Sequence, residues 1–245
     1  MIGDVTCNQV SFERGVFTSS GSSSVRGYHL VARSPGIDDD VAQALCQWSP
    51  THDGLFDSSL SASALNYFLI GDRHFAISKS MVGGAEYSGR NALQTSTSIL
   101  VGEREDLSNY GHNPVELARM ALSMGLLRLA VDYEGRLEVA ELSGDCLPGP
   151  TASTAASFEI VKMCVGALNS GGRIAIAGAT NPIQLLSVIF ANISPELRIT
   201  TSFSTGLKAS SFRPFQIQFF AKIDNRLRDF LGHQHIKLLH ADLNS

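Results

Sequence analysis

Long runs of any single kind are what this chain of 245 residues lacks. No stretch approaches the ~20 apolar residues of a membrane span. The N-terminal MIGDVTCNQVSFERG has no basic segment followed by a long apolar core, so no signal peptide is expected. Basic residues are few: Lys and Arg number 19 against 23 Asp and Glu, a formal charge of -4, and they form no long run. A general nucleic-acid-binding surface is therefore not expected. The four cysteines, Cys7, Cys46, Cys146 and Cys164, stand far apart without C-x-x-C spacing. Neither a zinc site nor a disulfide framework is signalled, and reduced thiols in a cytoplasmic protein are the plainer expectation. Neither G-x-x-x-x-G-K-S/T nor G-x-G-x-x-G occurs, and G-x-S-x-G is missing too. Charged residues make up only 17% and hydrophobic ones 44%, which excludes a disordered composition and allows a sizeable core, as one large domain or two small ones.

What is present is organised around Asn66 to Gly102. Leu65 to Ile70 is an apolar run containing Tyr and Phe, which suit a pleated surface. Gly71-Asp72-Arg73 turns the chain, His74 to Ser80 alternates, and after a glycine-rich connection a third run ends in Ile99-Leu100-Val101. Upstream, Asn8 to Phe17 and Tyr28 to Ala32 read as strands separated by the serine-glycine tract Ser19 to Ser24, and Ser34-Pro35-Gly36 stops the second. Asp38-Asp39-Asp40 before Val41, Ala44, Leu45 and Trp48 predicts a helix with acids at its positive end. A metal site is the rival reading of the triplet, but no matching cluster stands near. Trp48 to Ala62 reads as a polar loop, in which His52 and Asp53 resemble a base and its orienter.

Two helices start alike. Asn113-Pro114-Val115-Glu116 and Asn181-Pro182-Ile183-Gln184 each offer an Asn cap, Pro at the first helical position and an acid or amide three residues on. The second helix is apolar almost all round, so it should be buried or meet a partner. Arg136 to Leu142 alternates as a strand. Leu147-Pro148-Gly149-Pro150 marks the best boundary, giving a strand-rich subdomain 1–148 and a helix-strand-helix-strand-strand subdomain 149–245. Strands are expected at Arg173 to Gly178, Leu197 to Phe203 and Phe215 to Phe220. Helices are expected at Phe158 to Leu168 and Asp224 to Leu231, with a polar tail holding His233, His235 and His240. The fold class is α+β: mixed, mainly antiparallel sheets with helices packed on them.

Two loops carry the candidate site residues. Val82 to Arg90 has three glycines with Tyr87, Ser88 and Arg90; Tyr and Arg are frequent interface anchors. Ser202 to Phe215 offers Thr205, Lys208 and Arg213, which suit an anion or a carboxylate. The plainer alternatives are a tight inter-strand loop and a solvated hairpin. The strand-to-helix passage Gly171 to Pro182 tempts toward a nucleotide, but Pro182 removes an amide and a plain connection is preferred. No catalytic set and no metal-ligating group emerge, and no cofactor is expected.

Several short motifs stand in a recognisable order: Ser34-Pro35-Gly36, Glu86-Tyr87-Ser88-Gly89-Arg90, Tyr110-Gly111-His112-Asn113-Pro114, and SFSTGLK at Ser202 to Lys208 with Arg213-Pro214-Phe215. Together they resemble the N-terminal domain, second type, of the bacterial GTPase-associated protein family, over about Asn8 to Phe220. The resemblance implies a bacterial cytoplasmic protein linked to GTPase-centred signalling or defence, acting as a non-enzymatic adaptor with a GTPase or effector partner. It brings no set of catalytic residues. Where members of that family tend to carry an aromatic and a histidine, this chain reads Asn91-Ala92-Leu93-Gln94-Thr95-Ser96. A nucleotide- or phosphometabolite-binding regulator using Arg90, Lys208 and Arg213 is the alternative. Nucleic acid and membrane are not expected as partners, and a homo-oligomer stays open.

Overall fold

The computed structural model describes residues 9–20, 26–57, 59, 62–85, 93–129, 136–143 and 158–241. Its elements in chain order begin with β1 (Gln9–Ser20), β2 (Gly27–Arg33), α1 (Asp39–Trp48), β3 (Ser63–Ile70), β4 (His74–Ala85) and β5 (Leu93–Glu103). A 3₁₀ helix (Arg104–Tyr110), α2 (Pro114–Ser123), β6 (Ala140–Ser143), α3 (Phe158–Asn169), β7 (Arg173–Ala177) and α4 (Pro182–Ala191) follow. The chain continues through α5 (Pro195–Thr200), β8 (Phe203–Ser204), β9 (Ile217–Phe220), α6 (Asn225–His233) and β10 (Ile236–His240). This is the α+β class expected from the sequence.

One sheet runs through both halves, in the order β10-β7-β9-β8-β3-β4-β5-β1-β2, with β6 paired to the start of β1. From β3 to β2 neighbouring strands are antiparallel, while β8, β9, β7 and β10 are mutually parallel. The two parts join where Asn66 and Tyr67 pair with Ser204 and Phe203. The boundary expected near 148 lies outside the described residues.

Strand periodicity explains the layering, because alternate side chains face opposite sides of a sheet. Leu65 and Tyr67 join Phe75, Ile77 and Leu100 on the face covered by α2, α3 and α4. Ala64, Phe68 and Ile70 join Ala76, Ile99 and Val101 on the face covered by α1. Tyr67 stacks on Phe203, which meets Phe190 of α4 edge-on, so aromatic contacts cross the junction of the two parts. A smaller cluster holds α6 through Leu231 against Phe220, Ala175 and Ile236.

Caps form as the Asn-Pro signature predicts, with one difference. Asn113 Oδ1 accepts from Val115 N at 3.1 Å and Asn181 Oδ1 from Gln184 N at 3.1 Å. The difference lies in the residue three after the cap: Glu116 turns to Arg119, and Gln184 Oε1 accepts from the Asn181 side chain. The apolar helix α4 is indeed buried through Leu185, Leu186, Ile189 and Phe190.

Three sequence expectations change. Leu197 to Thr200 is helix, because Ser194 caps Leu197 N and Pro195 opens α5, leaving only Phe203 and Ser204 as strand. The strand expected from Arg136 shrinks to β6, the part that finds β1 as partner. The supposed polar tail contains β10, whose Ile236 and Leu239 are buried beside β7.

Candidate functional site

The family-like motifs divide into scaffold and surface. Ser34-Pro35-Gly36 is scaffold: Ser34 Oγ donates to the Glu13 carboxylate, and Gly36 N donates to the same group at 3.1 Å. A Cβ on Gly36 would lie 2.3 Å from Glu13 Oε1, so a side chain there displaces the carboxylate. Tyr110 to Pro114 is scaffold too. Gly111 and His112 both take left-handed backbone, φ 61 and 56, to turn the 3₁₀ helix into α2. Arg198 Nη1 donates to Gly111 O at 3.2 Å and ties that turn to the second half.

The surface part forms where the 51–57 segment crosses the α1 side of the sheet. Leu55 bridges to Leu207, Phe56 N donates to Gly206 O at 2.8 Å, and Lys208 N donates to Gly54 O at 2.9 Å. The segment expected as a solvated loop is thus a partner of the SFSTGLK loop, held by the buried Leu55. Asp53 sits in the left-handed region at φ 58, a conformation that Asp tolerates better than most residues. Its carboxylate meets Lys208 Nζ at 2.7 Å. Among the described residues the base-and-orienter pairing of His52 with Asp53 does not form; the Asp53 carboxylate is taken by Lys208.

His52, Asp53, Leu55 and Asp57 also line a cleft of about 200 Å³ whose other wall is Val82, Leu93 and Thr95. Val82 and Leu93 are at the roots of the first candidate loop. The two candidate loops therefore spring from one face, with the 51–57 segment between them. The strand pair extends further than the sequence suggests: β4 runs through Gly83 and Gly84 to Ala85, which pairs with Leu93 across a bulge. Tyr87, Ser88 and Arg90 lie outside the described residues.

The second loop's three candidates have different surroundings. Thr205 is structural: its N donates to Leu65 O at 3.0 Å and its Oγ1 accepts from Leu65 N at 2.8 Å, closing the β3–β8 junction. Lys208 is neutralised by Asp53. Arg213 makes no ion pair among the described residues, its Nε is buried without a hydrogen-bond partner, and burial lowers its pKa from the usual value. Next to it Phe212 is 75% exposed. Phe212 is not among the candidates read from the sequence, which are the loop's hydroxyl and basic residues. The signal lay in Ser210-Ser211 before it and Pro214 after it, which mark a turn.

Beneath the site the sheet is unusually polar. Gln218, Ser204, Asn66 and Ser78 stand side by side across β9, β8, β3 and β4, all buried. Asn66 Nδ2 donates to Ser78 Oγ at 3.2 Å, and one row over Ser80 and Thr97 hydroxyls meet at 2.9 Å. No group of three His, Cys, Asp or Glu placed to hold a metal occurs among the described residues. No helix among them is long and apolar enough to cross a membrane.

No curated protein and no solved structure matches the chain. A family model, GTPase-associated protein 1, N-terminal domain type 2, matches residues 11–137. That range takes in the scaffold motifs, the 51–57 segment and the β4–β5 pair, and stops short of the Ser202–Lys208 stretch. With more than half of its length matched, the chain belongs to the family of GTPase-associated protein 1 N-terminal domains, type 2.

Proposed function

We propose that the chain is a non-enzymatic adaptor of a bacterial GTPase-linked signalling or defence system, docking a GTPase or its effector through the face that carries the 51–57 segment, the 205–213 loop and the root of the β4–β5 pair. The family name supplies the GTPase association. The observation that carries the docking reading is Phe212. A phenylalanine 75% exposed on a loop tied down on both sides is an apolar anchor without a pocket of its own. Aromatic and arginine side chains dominate interface energetics, and Phe212 is followed directly by Arg213. Local hydrogen bonds shape the loop around them: Phe212 N donates to Ser210 Oγ at 3.2 Å and Phe215 N to Arg213 O at 2.9 Å.

The test is affinity capture from the native host with the full chain as bait, in GTP and in GDP, beside a Phe212→Ser bait. A GTPase or a GTPase-bound effector retained by the wild type and lost with Phe212→Ser is the expected result. Equal recovery on both baits, or none on either in both nucleotide states, overturns the reading.

A further inference from the structure

Arg213 is the one cation of the docking loop that the fold leaves unpaired among the described residues. Its main chain is fixed, N–H to Ser210 O at 3.3 Å and C=O accepting from Phe215 N at 2.9 Å. Phe215 is buried and lies edge-on to Trp48, ring centroids 5.0 Å apart, which draws the loop down onto the body. Nε is buried without a hydrogen-bond acceptor, and no carboxylate comes within ion-pair distance among the described residues. Asp53, the acid of the adjoining segment, is committed to Lys208 at 2.7 Å.

A charge partly withdrawn from water without a counter-ion destabilises the state that holds it. Arginine cannot escape by losing its proton. Such a residue lowers the stability of the free chain and regains it only when an anion arrives. Groups that cost stability in this way are typical of binding sites.

From this we infer that Arg213 receives a single carboxylate, an Asp or Glu side chain of the protein partner, whose neighbouring apolar surface takes the ring of Phe212. The inference rests on the docking reading above. The charge count selects carboxylate over phosphate. Lys208 is already paired, so among the described residues the loop presents one uncompensated positive charge, which matches a monocarboxylate better than a dianionic phosphate monoester. The planar fork of the guanidinium also matches a carboxylate in two-point contact.

Two measurements on the free 245-residue chain test it. The first compares melting temperatures of wild type and Arg213→Met, which keeps the aliphatic stem and removes the charge. An orphan charge predicts a melting temperature equal to or above wild type. A fall of more than about 3 °C, a large change for a chain of this size, means that the guanidinium already has a stabilising partner and overturns the inference. The second follows the Arg213 Nε–H resonance, assigned by its loss in Arg213→Lys, while sodium acetate is added at constant ionic strength. A saturating shift is expected. A resonance that does not move, or one that saturates with inorganic phosphate but not with acetate, overturns it. Neither measurement needs the partner, so the failure of host capture and the failure of this inference are told apart.

Discussion

Lys208 Nζ lies 2.7 Å from Asp53 Oδ2, and it is the only side-chain ion pair between the 51–57 segment and the 205–213 loop among the described residues. Both side chains are half exposed, so the pair is worth about 0.2–1 kcal/mol. The main-chain bonds beside it hold the segment regardless. A double-mutant cycle with Asp53→Ala and Lys208→Ala, read by urea unfolding, is expected to give a coupling below about 1 kcal/mol. Asp53→Val should cost more than Asp53→Ala, by about 1 kcal/mol, because a β-branched side chain resists the left-handed backbone that Asp53 adopts at φ 58.

The Phe203 ring joins the two parts of the sheet. It is fully buried, stacks on Tyr67 at 5.9 Å and meets Phe190 at 5.7 Å. Phe203→Ala should destabilise by about 3–5 kcal/mol. Because the sheet is continuous, the loss should appear as one earlier transition. The single tryptophan, Trp48, stacks on Phe68 at 4.7 Å on the opposite face of the sheet and reports it by fluorescence. Its midpoint should coincide with that of far-ultraviolet circular dichroism; separate midpoints would show that the parts unfold independently.

Gly102 in β5 is set between two rings. A Cβ there would stand 2.8 Å from both Phe12 Cε1 and Phe75 Cζ. These rings pack edge to face at 6.2 Å in the core and cannot withdraw freely. Gly102→Ala is expected to cost about 1–3 kcal/mol by overpacking, measured as a lower urea midpoint with the slope unchanged.

Alkaline pH should unfold the chain through groups whose charge the core refuses. Burial pushes the Cys164 thiol up from 9.0 to about 12 and the Tyr110 hydroxyl up from 10.0 to about 12. Tyr67, whose hydroxyl donates to Ile199 O at 2.6 Å, is also raised by burial. In each case the unfolded chain loses its proton first. The stabilising contribution is complete below the unfolded pKa, near pH 9 for Cys164 and pH 10 for Tyr110, and is lost as pH climbs toward 12. Urea midpoints measured from pH 8 to pH 11 should fall, and Cys164→Ala should flatten the part of the fall that begins near pH 9. Native Cys164 should also resist thiol reagents at pH 8 until the chain unfolds.

Much of the first part was legible from local pattern. The β3–β4 hairpin was visible because Gly71 takes φ 57 at its turn, where glycine costs nothing, and the residues on both sides alternate. The Asn-Pro caps of α2 and α4 were visible because capping is a contact between residues two or three apart. The errors fall where distant residues decide. Leu197 to Thr200 has strand-like composition, and Ser194-Pro195 overrides it. The third run was read as a strand, but what lets its polar Thr95 to Ser98 lie buried is long-range: the Thr18 and Ser96 hydroxyls satisfy one another at 2.7 Å. The site was half legible. Thr205, Lys208 and Arg213 share a loop, but their separate surroundings depend on Leu65 and Asp53, far away in the chain. The exposed Phe212 was marked only by the turn residues Ser210, Ser211 and Pro214 around it.

The position of β8 sets a schedule for synthesis. Leu65 N waits for Thr205 Oγ1, 140 residues downstream, and Thr18 waits for Thr95, 77 residues on. At ~5–20 residues per second a ribosome takes on the order of 10 s to deliver the later partner. For that interval the outer edge of β3, with Tyr67 unshielded by Phe203, is open on the nascent chain. The last element to emerge near the junction is therefore the one that ends the period in which this protein is most exposed to mispairing with its neighbours on the same message.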